Sequence, residues 1–241
     1  MTLFGSDSPT IDLTRYRRWA YARRFNSGRL ADLTGLPTGI RYHVSMNTGG
    51  KAVDLNAIDA WLTKWAHVMA GDFTLDHEVN LGNKGTPDMF RSNMHKAAPL
   101  LQGTGWRLVE VFSQYGELHK QPWTTWHSPD AAAQTWDAYV PASATSLPVD
   151  VAAWAAPSLR AIQASGLPGG LSEWGFPPAA DPTGEDGARF AAQLGRLAKD
   201  QRWYVCSAWD NPATGTPGVP AGGYVLDGST LVAWQSVVEV G

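Results

Sequence analysis

Residues 39–80 hold a strand, a helix and a second strand in immediate succession, and that order leaves the chain few folds to choose from. Ile40-Arg41-Tyr42-His43-Val44-Ser45-Met46 alternates in polarity, and Asn47-Thr48-Gly49-Gly50 closes it as a turn. Leu55, Ile58, Leu62, Trp65 and Met69 then recur at spacings of three and four, which predicts a helix over 54–70 with one apolar face. In residues 72–80, Phe73, Leu75 and Val79 share one parity, and Thr74, Asp76, Glu78 and Asn80 share the other. A period of two predicts a strand with unlike faces. Strand, helix, strand is the unit from which parallel sheets are built.

The rest of the chain repeats the alternation. Further strands are expected over 3–5, 19–25, 107–114, 135–140, 169–176 and 203–209, giving eight in all. Helices are expected over 86–103, 149–165 and 187–200, with a brief helical turn over 9–16 and a mixed closing segment over 224–240. Thr86-Pro87-Asp88 supplies an N-cap and a first-turn proline. Eight strands in one α/β unit predict a compact single-domain (β/α)₈ barrel, a TIM barrel, over residues 1–241. A doubly wound open sheet is the alternative, but no dinucleotide-type glycine fingerprint follows the first strand. Residues 115–130 read as a long loop carrying His119, Trp123, Trp126 and His127, too aromatic to be disordered.

Composition narrows the function classes. At 44% apolar and 17% charged residues the chain is globular, and a net charge of -3 gives no reason to expect nucleic acid or an anionic membrane as partner. No apolar run is long enough for a spanning helix, so membrane insertion is not expected. No signal peptide is visible at the N-terminus, which leaves the location of the protein undecided. Cys206 is the only cysteine and reads as a buried, inert thiol. Twelve tryptophans are many for this length, and such rings are favoured where sugars stack.

In a barrel of this kind the active site lies at the C-terminal ends of the strands. Those ends offer His43 and Asn47 on the third strand, and Asp76, His77, Glu78 and Asn80 on the fourth. The later strands offer Gln114, Asp137, Tyr139, Glu173, Trp174, Trp209 and Asp210. Glu78 and Glu173 enter the mouth from nearly opposite sides, as two carboxylates must to flank a glycosidic bond. Strict alternation turns His77 away from Glu78, so both reach the mouth only if the strand ends in a bulge.

His77-Glu78 at the end of the fourth strand, Glu173-Trp174-Gly175 on the seventh, Asp137 and Tyr139 on the sixth and Trp209 on the eighth together resemble the retaining glycoside hydrolases of clan A. Glycoside hydrolase family 26 is the nearest in pattern. The resemblance implies Glu78 as acid/base and Glu173 as nucleophile. It also implies His43, His77, Asn80, Asp137, Tyr139, Trp174 and Trp209 as substrate-binding residues, with no cofactor and no metal. Its implied partner is a polysaccharide or cell-envelope glycan. The residues after Glu78 lack the aromatic run common in mannan-cleaving members, which argues against mannan. Two other readings stand beside it. One is a non-catalytic carbohydrate-binding barrel in a larger assembly, such as a virion or a cell surface. The other is a metal-dependent hydrolase using His43, Asp76, His77 and Asp137, for which no His-Glu-x-x-His spacing exists.

Overall fold

The computed structural model describes residues 2–7, 21–24, 30–67, 69–209 and 228–239. Eight strands run through it: β1 Leu3–Asp7, β2 Tyr21–Arg24, β3 Arg41–Met46, β4 Gly71–Leu75, β5 Trp106–Ser113, β6 Ala133–Tyr139, β7 Gly169–Gly175 and β8 Val205–Trp209. Each pairs in parallel with its neighbour in sequence, and β1 pairs with β8, so the sheet closes into a barrel. Among the described residues six helices surround it: α1 Leu55–Trp65, α2 Pro87–Leu101, α3 Gln114–His119, α4 Val151–Ser165, α5 Glu185–Asp200 and α6 Gly228–Glu239.

Local chemistry sets the helix starts. The Asp54, Thr86 and Asp150 side chains accept from the N–H groups of Ala57, Met89 and Ala153, capping α1, α2 and α4. At α5 the cap comes from further back: Asp181 takes the N–H groups of Gly184 and Gly187 with its two oxygens.

Parity along the strands separates an outer core from the barrel interior. Facing outward, Phe73 lies 5.9 Å from Trp61 of α1, and Trp61 lies 4.7 Å from Trp106. On the other side of the barrel, Trp174 packs 5.8 Å from Phe190 of α5 and 4.9 Å from Trp234 of α6. Rings of this size bury about 150–250 Å² each and dominate the core. Facing inward at the N-terminal half, the fully buried Asp72 takes Arg41 at 3.3 Å and Arg107 at 2.8 Å. Residues at this end of such barrels serve stability. Cys206 is fully buried, and burial pushes its thiol pKa well up, as an inert thiol requires.

Three expectations need correction. The strand expected over 72–80 stops at Leu75, because Asp76 and Glu78 take left-handed backbone angles that no strand tolerates. The stretch 115–130 is not all loop: α3 runs into it from Gln114, where a strand was expected, and a 3-10 turn at Trp123–Thr125 lies within it. The described part of the closing segment is helix α6. The turn expected over 9–16 lies outside the described residues, as does Asp210.

Candidate active site

The end of β4 organises the site. Asp76 and Glu78 have φ of 50° and 56°, and each non-glycine residue held there costs about 1–2 kcal/mol. Hydrogen bonds on both sides hold the turn. The Asp76 N–H donates to Met46 O of β3 at 2.9 Å, and the Glu78 N–H donates to Val111 O of β5 at 2.9 Å. The Asp76 carboxylate accepts from the Thr48 N–H at 2.7 Å, the Gly49 N–H at 3.3 Å and the Thr48 hydroxyl. Hydrogen bonds to a charged group are worth about 1.5–3 kcal/mol, enough to offset the backbone strain. Two residues further on, Asn80 accepts from the Ser113 N–H at 2.8 Å and donates to Ser113 O at 2.9 Å. Asp76 and Asn80 are thus both spent on holding the neighbouring segments, and the two residues between Asp76 and Val79 project into the mouth.

His77, Glu78, Asp137 and Glu173 meet there. His77 Nε2 is hydrogen-bonded to Asp137 Oδ2 and lies 3.9 Å from Glu78 Oε2 and 3.8 Å from Glu173 Oε1. Those two distances cap the separation of the two glutamate oxygens at about 8 Å, which admits the retaining spacing of about 5–5.5 Å. Ser172 donates to Asp137 Oδ1 at 2.7 Å. The Tyr139 hydroxyl donates to Glu173 Oε2, and its pKa is pushed well above 10.0 by burial and by the carboxylates of Glu173, Asp137 and Glu78. Tyr139 therefore stays a donor. The two glutamates differ in setting: the Glu78 side chain is 20% exposed and that of Glu173 only 3%.

The structure brings Glu78, Glu173, His77, Asp137 and Tyr139 together. Trp209 ends β8 on the inward parity, since its neighbour Ala208 pairs with the outward-facing Trp174. Four other candidates lie elsewhere. Trp174 points out of the barrel into the helix layer, because alternation turns it away from the inward Glu173. Asn80 is held by Ser113 and is fully buried. His43 is fully buried within the barrel and paired in register with Asp72, at the N-terminal half of β4. The Thr74 hydroxyl gives its only proton to Val109 O at 2.7 Å, so His43 Nε2, 2.8 Å away, is the donor to Thr74. Asp76 grips the loop after β3 and takes no part in the cluster, so the metal set of His43, Asp76, His77 and Asp137 is not assembled.

Among the described residues, His77, Glu78 and Asp137 are the group whose ligand atoms all lie within 4.8 Å of one another. Occupation by a divalent ion would require these atoms to close to about 2 Å from one centre and the His77–Asp137 bond to open.

Two features escaped the sequence. Ser172 is the extra residue of a register shift between β6 and β7, and nothing in the sequence marks a bulge there. Glu110, fully buried on the outer face of β5, accepts from His127 Nδ1 at 2.7 Å, Gln134 Nε2 at 2.9 Å and the Ser128 N–H at 3.1 Å. His127 is therefore part of a clamp. Trp126 is buried beside Phe90, 6.1 Å away.

No family model matches the chain, and no characterised protein matches it in sequence. Solved structures do. A Rhizomucor miehei β-1,3-glucanosyltransferase, bound to laminaritriose, is similar over 89% of this chain and 83% of its own, at 13% identity and TM-score 0.64. An oligosaccharide-binding protein of family GH128 from Trichoderma gamsii is similar over 99% and 94%, at 11% identity and TM-score 0.64. A GH26 endo-β-1,4-mannanase from a Bacillus species is similar over 99% and 85%, at 13% identity and TM-score 0.59. At these identities the likeness is one of fold, and the fold is the (β/α)₈ barrel found in glycoside hydrolases of several families, GH26 among them.

Proposed function

We propose that this chain is a retaining glycoside hydrolase acting on a β-linked polysaccharide by double displacement. The observation that carries the reading is the meeting of Glu78 and Glu173, from the ends of β4 and β7, on one imidazole nitrogen. Glu173, buried and accepting a hydrogen bond from Tyr139, attacks the anomeric carbon. The bond to the leaving oxygen breaks as the more exposed Glu78 gives that oxygen its proton. Water then attacks the glycosyl-enzyme ester, Glu78 takes the water's proton, and Glu173 is released as carboxylate. Asp137 orients His77, and Trp209 offers a ring at the mouth. β-1,3-Glucan is the first polymer to try, because the similar Rhizomucor miehei enzyme binds laminaritriose. A cell-envelope glycan is the finer alternative.

A second reading is favoured by one observation: the similar Trichoderma gamsii protein is described as oligosaccharide-binding. In that reading the barrel holds a glycan for a larger assembly, a virion or a cell surface, without cleaving it. A panel of β-1,3-glucan, β-1,4-glucan, β-mannan, arabinan and galactan separates the two. The enzyme reading expects chelator-resistant turnover of one polymer, reduced about a thousandfold or more in Glu173→Gln with binding kept. Binding without turnover in the wild-type protein would hand the site to the second reading.

A further inference from the structure

β6 and β7 fall out of step at the point where the site is built. Trp136 pairs with Leu171, yet the next residue of β6, Asp137, pairs with Glu173. Ser172 is left over, one extra residue on β7, and bulges of this kind re-aim side chains. Strict alternation along an unbulged β7 would set Ser172 and Glu173 on opposite faces. With it, Glu173 stands in the mouth and Ser172 still reaches the Asp137 carboxylate. The Ser172 hydroxyl is fully buried, 2.7 Å from Asp137 Oδ1 and 3.5 Å from Trp136 O. A hydroxyl has one proton, and the shorter contact to a carboxylate takes it.

The other oxygen of Asp137 holds His77, and the same ring nitrogen stands 3.9 Å from Glu78 and 3.8 Å from Glu173. We propose that Ser172 is a positioning residue for the reaction. Its hydroxyl fixes the rotation of the Asp137 carboxylate, and through Asp137 it fixes the His77 ring between the two glutamates. No atom of Ser172 needs to touch the sugar. Its kinetic consequence rests on the glycosidase reading, whereas its effect on the His77 ring does not.

The test uses the whole chain carrying Ser172→Ala or Ser172→Cys, the second nearly the same shape with a weaker donor. Two quantities are read: steady-state kinetics on the polymer the wild type cleaves, and the ¹⁵N shifts of the His77 ring, assigned by their loss in His77→Gln. The Ala variant is expected to lose about tenfold or more in kcat with KM little changed, because one hydrogen bond to a charged group is withdrawn. The Cys variant should fall between Ala and wild type, and the His77 shifts should move in the same order. If the Ala variant keeps wild-type kcat and unmoved His77 shifts, the proposal is wrong. If kcat falls only together with the melting temperature while the His77 shifts stay put, Ser172 is merely structural and the proposal is equally wrong. Should the wild type cleave nothing, the glycosidase reading fails by itself, and the His77 shifts alone still decide whether Ser172 positions the ring.

Discussion

Tyr139 ends β6 and Trp174 is next to last on the neighbouring β7, yet they serve opposite sides of the wall. Tyr139 donates to Glu173 inside the mouth, while Trp174 packs on Phe190 and Trp234 outside it. Removing the Tyr139 hydroxyl withdraws one hydrogen bond from the nucleophile. Tyr139→Phe is therefore expected to lower kcat by about 10- to 100-fold with KM little altered, measured by steady-state kinetics on the cleaved polymer. An unchanged kcat would remove Tyr139 from the mechanism. Both placements follow from a parity rule that could be applied to the bare sequence. If Glu173 faces in, its neighbour faces out. The resemblance to the Glu-aromatic-Gly pattern argued for Trp174 in the mouth, and alternation argued against it. Here the local rule decided correctly. Ser172 had no such signal, since a bulge depends on the partner strand.

At the scale of elements, strands whose two faces differ were readable and their ends were not. In the run 72–80 the apolar Phe73, Leu75 and Val79 keep one parity, but the strand stops at Leu75. What stops it is the capture of the Asp76 carboxylate by Thr48 and Gly49, an event across two loops that no periodicity records. That capture is also the bulge-like break needed to put His77 and Glu78 side by side. α3 was missed because its six residues give less than two turns of pattern. The loop after it is tied to β5 through His127 and Glu110, and here a pH effect is expected. The hydrogen bond from His127 to Glu110 raises the His127 pKa above 6.5, against the loss from burial. A pKa raised in the folded state contributes stability fully below about 6.5 and loses it as pH rises through the higher folded value. Urea midpoints should thus decline from pH 6 upward by a component absent in His127→Gln. A midpoint curve of the same shape in both proteins would contradict the clamp.

The whole molecule divides its polar interior by height. Asp72 with Arg41 and Arg107 fills the N-terminal half, and the cluster around His77 fills the C-terminal mouth. The barrel could be read from eight strand segments interleaved with helices, because that number in one α/β unit points to closure. The site could be read in part, because strand order fixes which ends converge but not which side chains arrive. Glu78 and Glu173 were identifiable as carboxylates at strand ends, while Asn80 and His43 were absorbed into the scaffold. The double displacement proposed for the converging pair leaves a signature that no binding protein and no inverting enzyme shares. The direct measurement is proton NMR of the first product released from a β-linked polymer, recorded before mutarotation. The β-anomer is expected to appear first. An α-anomer appearing first would contradict double displacement, because water would then have attacked the sugar directly and Glu173 would never have carried it.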